Sequence, residues 1–244
     1  MIRPVVTIAG FVLLWWAFTA FTSVPPYMLP TPGAVAEALW TQSAYLADNT
    51  LVTFGEIILG LLTGTVLGGV AALGIAASPL LQRWLWPVLV LSQAIPVFAL
   101  APLLVLWLGF GMGSKVAMAV LVIFFPVTAN FLDGLRRTEP GWLDLATTMN
   151  GSRMRILLNL RLPAALPAFA SGLRVAAAVA PIGAVLGEWV GASSGLGYVM
   201  INANARIETD LMFAALVILA VMTISLYMLV DFSLRRLLVW APGG

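Results

Sequence analysis

Six runs of mostly apolar residues, each about long enough to cross a bilayer, leave this chain few ways to fold. They cover about residues 5–22, 52–77, 86–108, 115–133, 164–187 and 211–232. A helix needs about 20 mainly apolar residues to cross roughly 30 Å of hydrocarbon. Lipid offers no partner to a free backbone amide, so each run is predicted to be helical. Composition agrees: of 244 residues, 61% are hydrophobic and 9% charged, where a soluble domain carries about 25% charged residues. The outer surface must therefore be apolar. The expectation is an all-α integral membrane protein with six transmembrane helices in one domain over residues 1–244.

Cysteine and histidine are both absent. Disulfides, thiolate metal sites and Cys or His nucleophiles are thereby excluded. No other nucleophile or ligand cluster stands at membrane depth, so neither a catalytic residue nor a bound metal or cofactor is expected. A net charge of +2 broken up by apolar runs leaves no footprint for nucleic acid. The stretch from Val5 to Phe21 has no clean small-residue cleavage site after it and reads as a retained first span.

Orientation follows from the basic residues beside the spans. Arg3, Arg83, Arg136, Arg137, Arg153, Arg155, Arg161, Arg235 and Arg236 fall at one set of alternate ends, against Lys115 and Arg206 at the other. That bias places both termini and the 134–163 segment in the cytoplasm. The second span carries Gly60, Gly64 and Gly68 on one face, the pattern of close helix packing. Gly109, Gly111 and Gly113 before Lys115 lack the Gly-Lys-Ser/Thr core of a phosphate loop and read as a turn. Outer loops are expected over 23–50, where Val35, Leu39 and Trp40 could line a surface helix, and over 188–210.

The one long polar insertion on the inner side is 138–163. Thr138 is placed to cap a helix that has Pro140 in its first turn and runs to Met149. Trp142, Leu145, Ala146 and Met149 recur at i, i+3, i+4 and i+7 and make an apolar stripe; Asp144, Thr147 and Thr148 take the other face. Asn150 and Gly151 tolerate the left-handed conformation that ends a helix. Ser152 can cap a second helix from Arg153 to Leu162, and Pro163 opens the next span. By periodicity alone, this is either a solvated hairpin or a rigid docking helix fixed to two membrane helices.

These residues resemble the cytoplasmic "EAA" loop of binding-protein-dependent ABC importer permeases. Asp144, Leu145, Ala146 and Thr147 fill its opening, and Leu160-Arg161-Leu162-Pro163 supplies its ending at the expected spacing. Asp stands for the usual Glu, and Asn150 for the usual Gly, which suits a left-handed position nearly as well. Leu29-Pro30-Thr31-Pro32, the Ile95-Pro96 to Phe125-Pro126 region and the run Gly187 to Tyr198 are similar to the nitrate, taurine, sulfonate and thiamine-precursor branch. The resemblance implies a type I importer permease fold, a permease homodimer, two ABC ATPase subunits that bind ATP and Mg, and an extracytoplasmic solute-binding protein, in a bacterial inner membrane. It assigns ATPase coupling to Asp144, Leu145, Ala146, Thr147, Asn150, Gly151, Ser152 and Arg153.

Charges near the spans supply candidates for a translocation path or gate. Arg174 sits about 16 Å into the fifth span; it either lines a path or interface, or lies near the headgroups, with no partner readable. Glu56 reads as an interfacial charge. Glu188 ends the fifth span, where the helix dipole disfavours an anion, and the run with Ser193 and Ser194 behind it reads as a re-entrant or mobile loop. For the solute, the 181–216 region resembles the pyrimidine and thiamine-precursor group, which implies a precursor of that kind, with a sulfonate, taurine or nitrate as alternatives. The competing class, an ATPase-independent secondary transporter or channel, would need several buried titratable groups or a filter within the spans.

Overall fold

In a computed structural model the described residues are 2–240, and the side chains of residues 2–5 and 8, Arg3 among them, lie outside that set. The element order is α1 (Ile2–Phe21), α2 (Pro32–Thr41), α3 (Ser43–Ala77), α4 (Pro79–Ser92), α5 (Ala101–Leu108), α6 (Met112–Arg136), α7 (Pro140–Thr148), α8 (Arg153–Ile156), α9 (Leu162–Trp189), α10 (Leu196–Ala205) and α11 (Thr209–Leu237). A π-helical turn, Leu157–Arg161, joins α8 to α9, so Arg153–Trp189 forms one helix of 37 residues. The break expected at Pro163 does not occur: Pro163 follows directly on the π turn, and such a local widening accommodates the missing N–H of a proline inside a continuing helix.

Among the described residues four helices are long and apolar enough to cross a membrane: α3, α6, the α8–α9 helix and α11. The expected third span is in two pieces, Pro79–Ser92 and Val97–Leu108, bent by 93°. Proline forces the residue before it out of the α region, and Pro96 is itself extended at φ −60°, ψ 115°. A short 3₁₀ turn, Val97–Leu100, then leads into α5. α1 is a 20-residue helix, of which Ala9–Phe21 is the described apolar part. Four unbroken spans, a bent pair and α1 thus stand where six spans were expected.

α6 is the centre of the bundle, with α3 and α9 closing on it from two sides. A Cβ at Gly60 would stand 2.5 Å from the Ala119 Cβ, one at Gly64 2.8 Å from Ile123, and one at Gly68 3.0 Å from the Phe124 carbonyl. From α9, a Cβ at Gly183 would stand 2.6 Å from the Ala119 Cα. Ala119 is fully buried between the two glycine faces. The glycine stripe thus does what its spacing predicts: in lipid, helices are held by close van der Waals contact rather than by expulsion of water. Thr128 Oγ1 adds a hydrogen bond to the Gly68 carbonyl at 3.3 Å.

Three expectations for the connections are corrected. Thr138 is buried and donates to the Leu135 carbonyl, so α7 is capped by Glu139 without a side-chain bond. α2 is no surface helix: Val35 and Ala38 are buried against α10 and α11, while Trp40 remains exposed. Thr31 caps it by accepting from Ala34 N at 3.2 Å. The 188–210 segment is mostly helix, and Gly195, Leu196 and Gly197 at its centre are buried.

Candidate functional site

The hairpin of α7 and α8 is built as a stiff unit. Pro140 occupies the first turn of α7, its fixed φ already helical. At the other end Asn150 is left-handed at φ 57°. Gly151 N donates to the Ala146 carbonyl at 2.9 Å, and Asn150 N to Thr147 at 3.0 Å; this is a Schellman closure of the last turn. Ser152 then accepts from Arg155 N at 3.4 Å and caps α8. The turn between the two helices is thus short and held by hydrogen bonds at both ends.

The stripe expected on α7 is present and faces outward. Trp142, Leu145 and Met149 are exposed, and with Ala146, Arg155 and Leu160 they line a groove of about 360 Å³. Asp144 is exposed beside it. Because α8 runs through the π turn into α9 without a break, a push on this hairpin acts directly on the helix that packs against α6.

At the opposite end of the bundle, the candidate gate residues meet a polar cluster. Glu188 is 1% exposed. Its carboxyl accepts from Thr53 Oγ1 at 2.5 Å and from Gly197 N. Asn49 Oδ1 accepts from Gly195 N at 2.7 Å, and Thr53 Oγ1 accepts from Leu196 N at 2.7 Å. The first-turn amides of α10 are thus satisfied by side chains of α3 and by the end of α9, which a helix N-terminus requires when buried. Glu188, awkward at the end of its own helix, serves the positive end of the next.

Glu56 is buried in contact with Glu188, not interfacial as its position suggested. Lys115, also buried, donates to the Phe110 and Gly111 carbonyls and brings a positive charge close to the Glu56 carboxyl. Ser193 is exposed and Ser194 half-buried in the bend before α10.

Arg174 has a partner: its Nε donates to Asp231 Oδ1 at 2.6 Å, tying α9 to α11, and Arg235 binds the other oxygen of Asp231 at 2.9 Å. Arg174 and Glu188 lie 14 residues apart on α9, about 21 Å along the helix at 1.5 Å per residue, so the four path candidates do not form one site. Asp231→Asn should lower the melting temperature of the purified protein, since it removes the negative charge that Arg174 and Arg235 share. The exchange R174D/D231R should recover part of that loss. No change in the single variant would remove the bracing role.

Residue reading had not singled out Asn49, Thr53 or Asp231. Asn49, Thr53 and Glu56 recur at i, i+4 and i+7 in an apolar run, a polar face that could have been read. Nothing in the sequence paired Asp231 with Arg174.

Residues 64–239 match the family described as "Binding-protein-dependent transport system inner membrane component". A "Probable ABC transporter permease protein" of Haemophilus influenzae is 53% identical over 99% of this chain and 98% of its own. A "Formylaminopyrimidine transport permease protein" of Halalkalibacterium halodurans is 37% identical over 86% of this chain and 84% of its own. A "Riboflavin transport system permease protein" of Chloroflexus aurantiacus is 34% identical over 96% and 88%. With its bundle of apolar spanning helices, the chain belongs to the binding-protein-dependent transport family and is an ABC importer permease, a multi-pass protein of the inner membrane.

Proposed function

We propose that this permease works as a homodimer on two ABC ATPase subunits, with α7 and the turn from Asp144 to Arg153 seated in a groove of each ATPase. ATP and Mg are bound by those subunits, and this chain contributes no catalytic group. Both termini and the hairpin face the cytoplasm, in line with the nine-to-two bias of flanking basic residues. Closure of the ATPase dimer pulls α7 and, through the unbroken α8–α9 helix, rocks α9 and α3 about α6; hydrolysis resets them. The exposed apolar face of a short helix, started by Pro140 and closed at Asn150 and Gly151, carries this reading. Coupling of this kind asks for a lever with two packed end states rather than a reactive group.

A binding protein delivers solute at the α10 end. The bend with Ser193 and Ser194 serves there as the gate, Glu188 fastens it to α3, and Arg174 with Asp231 steadies α9 against α11 along the path. For the solute we favour a pyrimidine-type thiamine precursor, supported by the formylaminopyrimidine permease at 37% identity; a sulfonate, taurine or nitrate ion is the alternative. Reconstitution with the cognate ATPase and binding protein tests both levels. Uptake of a radiolabelled pyrimidine should require ATP and all three proteins. Uptake by the permease alone would sink the coupling, and uptake of taurine instead would sink the solute.

A further inference from the structure

The side of the hairpin away from the apolar groove closes a second cavity, of about 510 Å³. Its walls are the corner between α3 and α4, contributing Gln82, the inner face of α7, contributing Thr147, and the α8–π segment, contributing Arg153 and Arg161. No acidic residue lines it. Among the described residues neither arginine makes an ion pair, and the Arg161 Nε is buried without any hydrogen-bond partner. A buried guanidinium donor left unmatched is costly, so a ligand that accepts from it is the economical explanation.

The π turn is part of the construction. On a regular helix of 3.6 residues per turn, positions eight apart drift about 80° out of line. The extra residue accommodated by the wider turn, Leu157–Arg161, takes up this drift and keeps Arg153 and Arg161 on one face. Two guanidinium forks and the Gln82 amide, with no carboxylate among them, suit a phosphate oxyanion, which arginine binds through paired N–H donors. Beside the cavity, Leu80, Trp84 and Met154 are exposed and offer apolar surface to acyl chains.

We propose that this cavity binds the phosphate of an anionic phospholipid headgroup, wedged between the α3–α4 corner and the coupling helix. Its placement in the inner leaflet rests on the cytoplasmic reading of the hairpin given above. A bound headgroup contacts both the lever and the membrane helices, so lipid charge sets how firmly the hairpin is held.

The test uses the full chain in detergent, with native mass spectrometry reading bound phosphatidylglycerol, phosphatidylcholine and inorganic phosphate. Phosphatidylglycerol should be retained in preference to phosphatidylcholine. Arg161→Gln should weaken that retention roughly ten- to hundredfold, as expected for loss of a charge-assisted contact. Gln82→Glu, on a separate element, should do the same by repulsion, and Arg206→Gln at the far end should leave it intact. Retention in Arg161→Gln and Gln82→Glu as strong as in the unmodified protein overturns the proposal. Arg161-dependent binding of inorganic phosphate without lipid overturns the lipid assignment. Retention is read without the ATPase, so a failure of coupling would appear only in uptake and leave this result standing.

Discussion

Ala146→Pro should leave the permease in the membrane at close to its normal level while cutting ATP-driven uptake more than tenfold. Proline in a helix interior removes one hydrogen bond and collides with the carbonyl four residues back, at a cost of about 3 kcal/mol or more. Here that carbonyl belongs to Trp142, in the first turn of α7, and Ala146 also accepts the bond from Gly151 that closes the C-terminal turn. The damage stays local, since no residue of α7 is buried and the bundle around α6 does not depend on it. Insertion, read by membrane yield and by melting of the purified protein, should change little. Stimulation of the partner ATPase by loaded binding protein should vanish. Asp144→Asn, which keeps the shape and removes one exposed charge, should give a smaller loss. Normal uptake by the proline variant would end the case for α7 as the coupling element.

The largest loss of stability is expected at Gly195. Its backbone sits at φ 110°, ψ 162°, a region open in practice to glycine alone and costing other residues about 1–3 kcal/mol. A Cβ there would also run into the Glu188 carboxyl, and overpacking of this kind adds about 1–3 kcal/mol. Glu188 cannot easily move aside, because Thr53 and Gly197 hold it. Gly195→Ala should therefore lower stability by about 2–6 kcal/mol in sum, seen as a fall in melting temperature in detergent and poorer recovery. Gly111→Ala is the control: that residue has an ordinary φ of −73° and open space around its missing Cβ. Similar behaviour of the two variants would mean that the α10 cap is looser than its hydrogen bonds imply.

The two predictions fall on opposite ends of the molecule and differ in kind. The hairpin is rigid within itself and lightly attached, so its variants should alter transmission. The α10 cap is woven into three helices, so its variants should alter folding. Measuring yield, melting and uptake for both separates the roles without reference to the solute.

Much of the hairpin could be read before any coordinates. Pro140, Asn150 and Ser152 act through backbone preferences that operate within four residues, and all three stand in the predicted roles. Thr138 failed as a cap because its hydroxyl found the Leu135 carbonyl at the end of α6, a choice set by burial. The bend at Pro96 was also local in cause. Its size of 93° was not readable, since proline only forbids the straight path and neighbouring helices choose among the rest.

What the sequence determined by itself is whatever follows from solvent and from nearest neighbours along the chain. Apolar length demanded helices in lipid, the small-residue period on α3 demanded a close helix contact, and cap residues closed the hairpin. What only the tertiary structure decided is which polar groups meet once those helices pack: Glu188 with Thr53 and the α10 amides, and Arg174 with Asp231 across 57 positions of sequence. The physical reason is that an apolar surround makes every buried polar group find a partner, yet many partners would satisfy that demand. The choice among them is made by the geometry of α3 and α9 against α6, which no single segment contains.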